Sequence, residues 1–355
     1  MGEHLHLAVP GLFISGDGAE AACAGLRLPA VERLLARADT SVLDAPSMEA
    51  WLCAAFGVSD GAIAPVTLLA DGGEPGVDYW LRADPVHLML RGSELILRPV
   101  GTLAPEEAVQ FCDTLNRHFA EQGLHFLAPH PQRWYLRMAD APRVAMHALA
   151  EVAGRDVRHY MAQGADALTW HTVFNEIQML LYTHPVNDAR DARGEWAVNS
   201  VWTWGGGRAP EALGAPFSRV YADDPLTLAF AQAAGIEHFA LPRDRARPIN
   251  LEQGDTLLVW DGLGRAVADG DLAAWRDSLQ ALERLCMVPA LDALRRGRLD
   301  TVTLDVVQDT RSWQFTLTRG AARRFWRRTR RLSRYPAALK PSLAAARPLA
   351  AAPGS

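Results

Sequence analysis

NEIQMLLYTHPVNDARDARGEWAVNSVWTWGGGR, residues 175–208, is the stretch on which the reading of the fold turns. Its spacing predicts a helix that closes at His184-Pro185, a polar segment carrying Asn187, Arg190 and Arg193, and a short apolar strand. The strand runs straight into Gly205-Gly206-Gly207 and a loop that contains Pro210. Helix, polar turn, strand and glycine loop is the order by which α/β proteins bring backbone N–H groups to the carboxyl end of a sheet, where anionic ligands bind.

On either side the pattern is an alternation of strands and helices. Leu5, Leu7 and Val9 alternate before the breaker pair Pro10-Gly11, which predicts a short first strand. Helices are expected over Leu28–Ala38 and Ser47–Phe56, and a second strand over Ala64–Leu69. Tyr79–Arg91 and Glu94–Pro99 read as an antiparallel pair turned at Gly92-Ser93. In 105–122, Ala108, Phe111, Cys112, Leu115 and Phe119 recur at helical spacing, with the cap region at Thr102–Ala104 and Gly123 as the stop. Strands over Leu124–Leu127 and Arg133–Arg137 complete a β-β-α-β-β unit. Beyond it, Trp170, Val173, Phe174, Ile177, Leu180 and Leu181 share one helical face. Asn199–Trp204, Thr256–Trp260 and Leu299–Val307 read as buried strands, with helices over 223–235 and 270–296. The expected architecture is an α/β core from 1–74 and 141–318 with an α+β insertion at 75–140.

The apolar content of 49%, with 11 tryptophans, suffices for a large core in 355 residues. Cys23, Cys53, Cys112 and Cys286 stand far apart with no C-x-x-C pair, so they read as free thiols of a reducing compartment. No charged-then-apolar leader and no run of spanning length is seen, which gives the expectation of a cytoplasmic protein. The net charge of −5 hides an asymmetry. After Asp309 there are ten arginines and Lys340 but no acid, so the body before it is strongly acidic. Lys340 is the sole lysine, which rules out a P-loop or Schiff-base lysine in that body. G-x-S-x-G, H-E-x-x-H and a strand-borne G-x-G-x-x-G are all missing.

HPVN-x-x-R-x-x-x-G, then V-N-S-V and a glycine-rich turn, resembles the late-middle region of archaeal-type cofactor-independent phosphoglycerate mutases, members of the alkaline-phosphatase superfamily. LHLAVPGL, WLRADPVHL, LNRHFAEQGLHFLAP, RWYLRM, EVAGRDV and NEIQMLLYTHPVN resemble, over about the first 310 residues, a related proteobacterial family variously labelled regulatory protein RpfE or phosphoglycerate mutase. The resemblance implies an alkaline-phosphatase-like core sheet flanked by helices, two divalent metals, a serine nucleophile and phosphoryl transfer between two hydroxyls of one substrate.

Several implied ligands are replaced. Where the mutases place Asp-Gly after the first strand, this chain has Pro10-Gly11, and proline cannot bind metal. The C-terminal Asp-His-Ser/Thr stretch corresponds to LDTVTLDVVQDTRSWQF, which has no histidine. The Asp/His-rich run before the last helices reads WDGLGRAVADGDLAAW, keeping Asp261, Asp269 and Asp271 only. The expectation is a site without metals or cofactor and without catalytic residues, in a regulatory protein that binds a small anionic, possibly phosphorylated, ligand. The alternative is an active mutase or phosphatase with a remodelled site. Candidate ligand contacts are Arg82, His184, Asn187, Arg190, Asn199, Gly205, Gly206, Gly207 and Arg208. The resemblance implies an arginine before the glycines, where Trp204 stands. Each candidate also has a plain structural reading as a cap, a tight turn or a half-exposed sheet face.

The segment 319–335 reads as a basic amphipathic helix, with Phe325, Thr329 and Leu332 at i, i+4 and i+7. Arg323, Arg324, Trp326, Arg327, Arg328, Arg330 and Arg331 would meet nucleic acid, an anionic membrane or a protein partner. Docking onto the chain's own acidic body is the competing reading. Residues 336–355, rich in Ala and Pro, are expected to be disordered.

Overall fold

The computed structural model describes residues 3–14, 18–244, 249–251, 254–308 and 311–339. The chain divides into two units, residues 1–57 with 213–355, and residues 58–212. The expected insertion 75–140 lies inside the second unit, which also takes in the segment 175–208.

The first unit is built on a seven-stranded mixed sheet. Its order is Glu237–Phe239, Arg219–Tyr221, Thr256–Val259, His4–Ala8, Thr301–Val306, Ser312–Thr318 and Asp39–Leu43. The first five run parallel; Ser312–Thr318 is antiparallel to both of its neighbours. Leu5 and Leu7 are fully buried, in one core cluster with Val31, Leu34, Trp275, Leu279 and Leu294 of helices Pro29–Arg37, Leu272–Leu282 and Val288–Arg296. Each such leucine contributes about 1.5–3 kcal/mol on burial. A π-helical segment, Glu283–Met287, joins the last two helices. Its Glu283 carboxylate accepts hydrogen bonds from Ala30 N at 2.7 Å and Val31 N at 2.9 Å, an anion at a helix amino terminus.

In the second unit the long strand Tyr79–Arg91 pairs antiparallel with Glu94–Pro99, Arg133–Met138 and Ser200–Gly207, and His125–His130 pairs with Arg133–Met138. Helix Pro105–Phe119 buries Ala108, Phe111, Cys112, Leu115 and Phe119, the expected face. Helix Ala167–Tyr182 buries Trp170, Val173, Ile177 and Leu181.

Several expectations are corrected. Residues Ile63–Ala70 form a helix and not a strand. A fully buried apolar run carries no period to separate the two, and Thr67 Oγ1 donates to Ile63 O at 3.1 Å as helical geometry allows. The polar segment after His184-Pro185 is itself a helix, Pro185–Ala192. Gly205–Gly207 complete the strand Ser200–Gly207 instead of forming a loop. Arg319–Ala322 is helical for only four residues, and 323–331 is irregular. Arginines four apart, such as Arg323 with Arg327 and Arg324 with Arg328, repel along a helix face. Tyr335–Ala338 forms a helical turn that runs into the segment expected to be disordered, anchored by Tyr335 stacked 6.5 Å from Phe13. Residues 340–355 of that segment lie outside the described residues.

All four cysteines are free; Cys53, Cys112 and Cys286 are buried, and burial pushes the Cys53 thiol up to about 12. Among the described residues no helix is long and apolar enough to cross a membrane.

Candidate functional site

The ligand contacts expected from sequence are engaged within the second unit. His184 caps helix Pro185–Ala192, its Nδ1 accepting from Val186 N at 3.3 Å, while its Nε2 lies 3.0 Å from Thr114 Oγ1. Burial lowers its pKa, so the ring is neutral at pH 7. The Asn187 amide donates to Leu181 O and Val198 O and accepts from Val198 N, which engages both N–H groups and the oxygen. Arg190 is 1% exposed and donates to Trp196 O, Thr102 O and the Glu107 carboxylate, each within 2.9 Å. Asn199 continues the ladder by exchanging hydrogen bonds with both Leu88 N and Leu88 O. Arg208 donates to Val77 O and Ala139 O. These are the partners a fold uses to hold a helix–strand junction.

The three glycines serve close packing. A Cβ on Gly207 would land on Ala62, and one on Gly206 would land on Tyr79 and Leu81; Gly205, at φ +61°, sits against Ile63. Arg82 is buried between the rings of Tyr135 and Trp204, at 5.4 and 5.3 Å, and pairs with Asp84 at 2.5 Å. Trp204 Nε1 donates to the other Asp84 oxygen at 2.7 Å, so the tryptophan that replaces the implied arginine completes a closed internal network.

A different set of polar side chains stands in the first unit at the carboxyl ends of the parallel strands, where ligands of open α/β sheets bind. Asp223 and Asp224 follow Arg219–Tyr221; Asp261 follows Thr256–Val259 and Trp260. A cleft of about 330 Å³ there is lined by Asp223, Arg243, Asp261, Arg265, Ser278 and Arg284, among others. Arg265 Nε lies 2.9 Å from Asp261 one helical turn away, and Arg243 lies 2.9 Å from Asp223. Asp223 also accepts from Leu241 N at 3.0 Å, which fixes the chain beside the cleft. Asp224 caps helix Pro225–Ala233 by accepting from Thr227 N, and its second oxygen is buried without a partner. Burial raises the Asp224 pKa. Burial and then the Asp224 charge raise that of Asp261, against which the Arg265 charge acts. Arg284 makes no ion pair among the described residues. Sequence reasoning missed this cleft; the available signal was an aspartate directly after each of two strands and before a helix.

The two metals that the mutase resemblance implies do not fit these residues. Beside the first strand, a Cβ on Gly11 would stand 2.8 Å from Gly264 Cα, and Trp275 Nε1 donates to Gly11 O at 2.9 Å. Backbone and indole thus pack around Gly11, the residue after Pro10, which stands where the resemblance implies a metal-binding aspartate. After Thr301–Val306, the Gln308 side chain donates to Phe13 O. Asp271 caps helix Leu272–Leu282. Among the described residues no group of three or more His, Cys, Asp or Glu side chains is placed to hold a metal ion.

No family model matches the chain. A segment of 123 residues, 34% of this chain, is 26% identical to the 2,3-bisphosphoglycerate-independent phosphoglycerate mutase of Methanosarcina barkeri. A segment of 116 residues is 25% identical to the enzyme of the same name from Methanosarcina mazei. The matches span 30% and 28% of those two relatives. Among solved structures, the PH0037 protein of Pyrococcus horikoshii superposes with a TM-score of 0.55 at 12% identity, covering 94% of this chain and 92% of that one. A cofactor-independent phosphoglycerate mutase of Thermoplasma acidophilum gives a TM-score of 0.47 at 13% identity, with 94% of each chain covered. The fold is therefore shared with the PH0037 protein, a mixed α/β type with a central sheet flanked by helices. About a third of this chain is thus distantly homologous to the two 2,3-bisphosphoglycerate-independent phosphoglycerate mutases.

Proposed function

We propose that the protein binds a small phosphorylated or carboxylated polyol at the carboxyl end of the first unit's sheet and does not transfer its phosphoryl group. A regulatory role, as in the RpfE-like family that the sequence resembles, follows from binding without turnover. The observation that carries this reading is the pairing of Asp261 with Arg265 and of Asp223 with Arg243. Asp223 and Asp261 have guanidinium counter-ions in place of divalent cations. Arg284 is left to meet the anionic group, and Ser278 with the paired aspartates meets the hydroxyls. Ligand atoms would replace water without any metal to polarise a phosphoryl oxygen.

Calorimetric titration with 3-phosphoglycerate in chelator, beside a coupled turnover assay with manganese, tests it. The expected result is metal-independent binding that weakens about tenfold or more in Arg284→Gln, since a charge-assisted hydrogen bond is worth about 1.5–3 kcal/mol. Turnover above the metal-free control would establish an active mutase and overturn the reading.

A further inference from the structure

The arginine-rich stretch near the C-terminus is the strongest feature that the cleft does not use. Its course is fixed at both ends. Arg319 donates to Leu299 O at 2.7 Å and pairs with Asp300 at 2.8 Å; at the other end Leu332 is 2% exposed and its N–H donates to Glu32. Between them the chain is tied to the outer strand of the sheet. Arg324 pairs with Asp39, and Arg327 donates to Ala38 O at 2.9 Å. The turn therefore sits on a rigid base, and what it lifts into solvent is an aromatic pair. Phe325 is 80% and Trp326 67% exposed, with ring centroids 5.3 Å apart and planes at 81°. Arg323, Arg328 and Arg330 beside them are exposed and make no ion pair among the described residues.

We infer that this turn is a surface for anionic lipid bilayers, into whose interface Phe325 and Trp326 insert while Arg323, Arg328 and Arg330 meet the headgroups. Charge complementarity selects the partner's sign, because no acid follows Asp309 in the chain. The ring geometry selects a bilayer over nucleic acid. Two perpendicular rings in contact make one apolar knob, suited to the amphipathic headgroup layer that tryptophan favours, whereas bases stack on open, parallel ring faces. Stable attachment needs two signals together, an apolar anchor and a basic patch, and the turn provides both. The surface is independent of the ligand cleft and of its occupant.

Co-sedimentation of the full chain with vesicles of phosphatidylcholine and phosphatidylserine (3:1), with pure phosphatidylcholine vesicles, and a parallel titration of duplex DNA, tests this. Binding to the anionic vesicles alone is expected. It should fall on the order of a hundredfold in the triple variant Arg323→Gln, Arg328→Gln, Arg330→Gln, from about 1 kcal/mol for each arginine. It should fall by about tenfold in Phe325→Ser, Trp326→Ser. Quenching of Trp326 fluorescence by brominated lipid, read as wild type minus Trp326→Phe, should accompany binding and needs no destabilised variant. Binding to DNA but not to vesicles, equal binding to both vesicle types, no binding, or an aromatic double variant that binds as the wild type does would each overturn the inference.

Discussion

Gly11 and Gly264 meet backbone to backbone, so the turn after the first strand is packed directly against the helix Gly262–Ala268. Gly11 also holds φ at +71°, where a side chain is strained. The contact holds the turn that carries Pro10, where the mutase resemblance implies an aspartate. Gly11→Ala is expected to cost about 2–4 kcal/mol, combining the left-handed backbone with overpacking, as read from urea denaturation. Pro10→Asp, which restores the carboxylate that the mutase resemblance implies, is expected to gain no manganese binding by calorimetry. Tight manganese binding in that variant would show that the other strand-end carboxylates can complete a metal site.

Arg190 separates structure from ligand binding. Arg190→Met should cost about 2–4 kcal/mol, because it leaves two carbonyls without a donor and Glu107 with Arg193 as its remaining partner. Metabolite affinity measured well below the melting temperature should be unchanged. A folded variant of normal stability with lost affinity would return Arg190 to the ligand site.

A pH dependence follows from the sheet face opposite Leu5 and Leu7. His6 Nε2 and Trp51 Nε1 both lie 2.7 Å from Asp305 Oδ2, and His4 stacks 5.7 Å from His6 and lies 2.8 Å from Thr303. Burial, and then the His6 charge, lower the His4 pKa to about 4, against an ordinary value of 6.5. Between those values the unfolded chain binds the extra proton, so stability is complete above pH 6.5 and is lost as pH falls toward 4. The contribution is about 3 kcal/mol, and His4→Gln should flatten that slope in chemical denaturation from pH 7 to 4. An unchanged slope would place the acid sensitivity elsewhere.

Trp204 should behave as a partner of Asp84. Trp204→Phe keeps the ring over Arg82 but leaves one buried carboxylate oxygen without its donor, at a cost of about 1–3 kcal/mol by thermal or urea unfolding. Wild-type stability in the variant would show that water replaces the indole N–H.

Elements with a clean period were legible. The buried face of Pro105–Phe119 and the alternation of the first strand could be read directly, because burial follows the 3.6 and 2.0 repeats. Ile63–Ala70 could not, since all but its last two residues are buried and no stripe exists to count. Thr301–Val306 lies within the expected strand 299–307, but its hairpin partner Ser312–Thr318 was missed, although its buried Trp313, Phe315 and Leu317 alternate with Gln314 and Thr316. The polar residues of the segment 175–208 stood out in the sequence, but whether a polar group faces a ligand or a carbonyl is decided by distant chain. Asn187 meets Val198, and Arg190 meets Glu107 across 83 positions. The cleft aspartates were visible, but their pairing with Arg243 and Arg265 depends on where the chain returns.

The arginine turn also bears on how the molecule keeps to itself. Asp39–Leu43 is the last strand of an open sheet, and an uncovered last strand invites pairing with another molecule's backbone. Arg327 occupies Ala38 O at its start, and the cations of the turn crowd the approach to its first residues. Removal of residues 319–335 would thus expose a ready template for intermolecular sheet growth, and the shortened chain should self-associate in a concentration-dependent way.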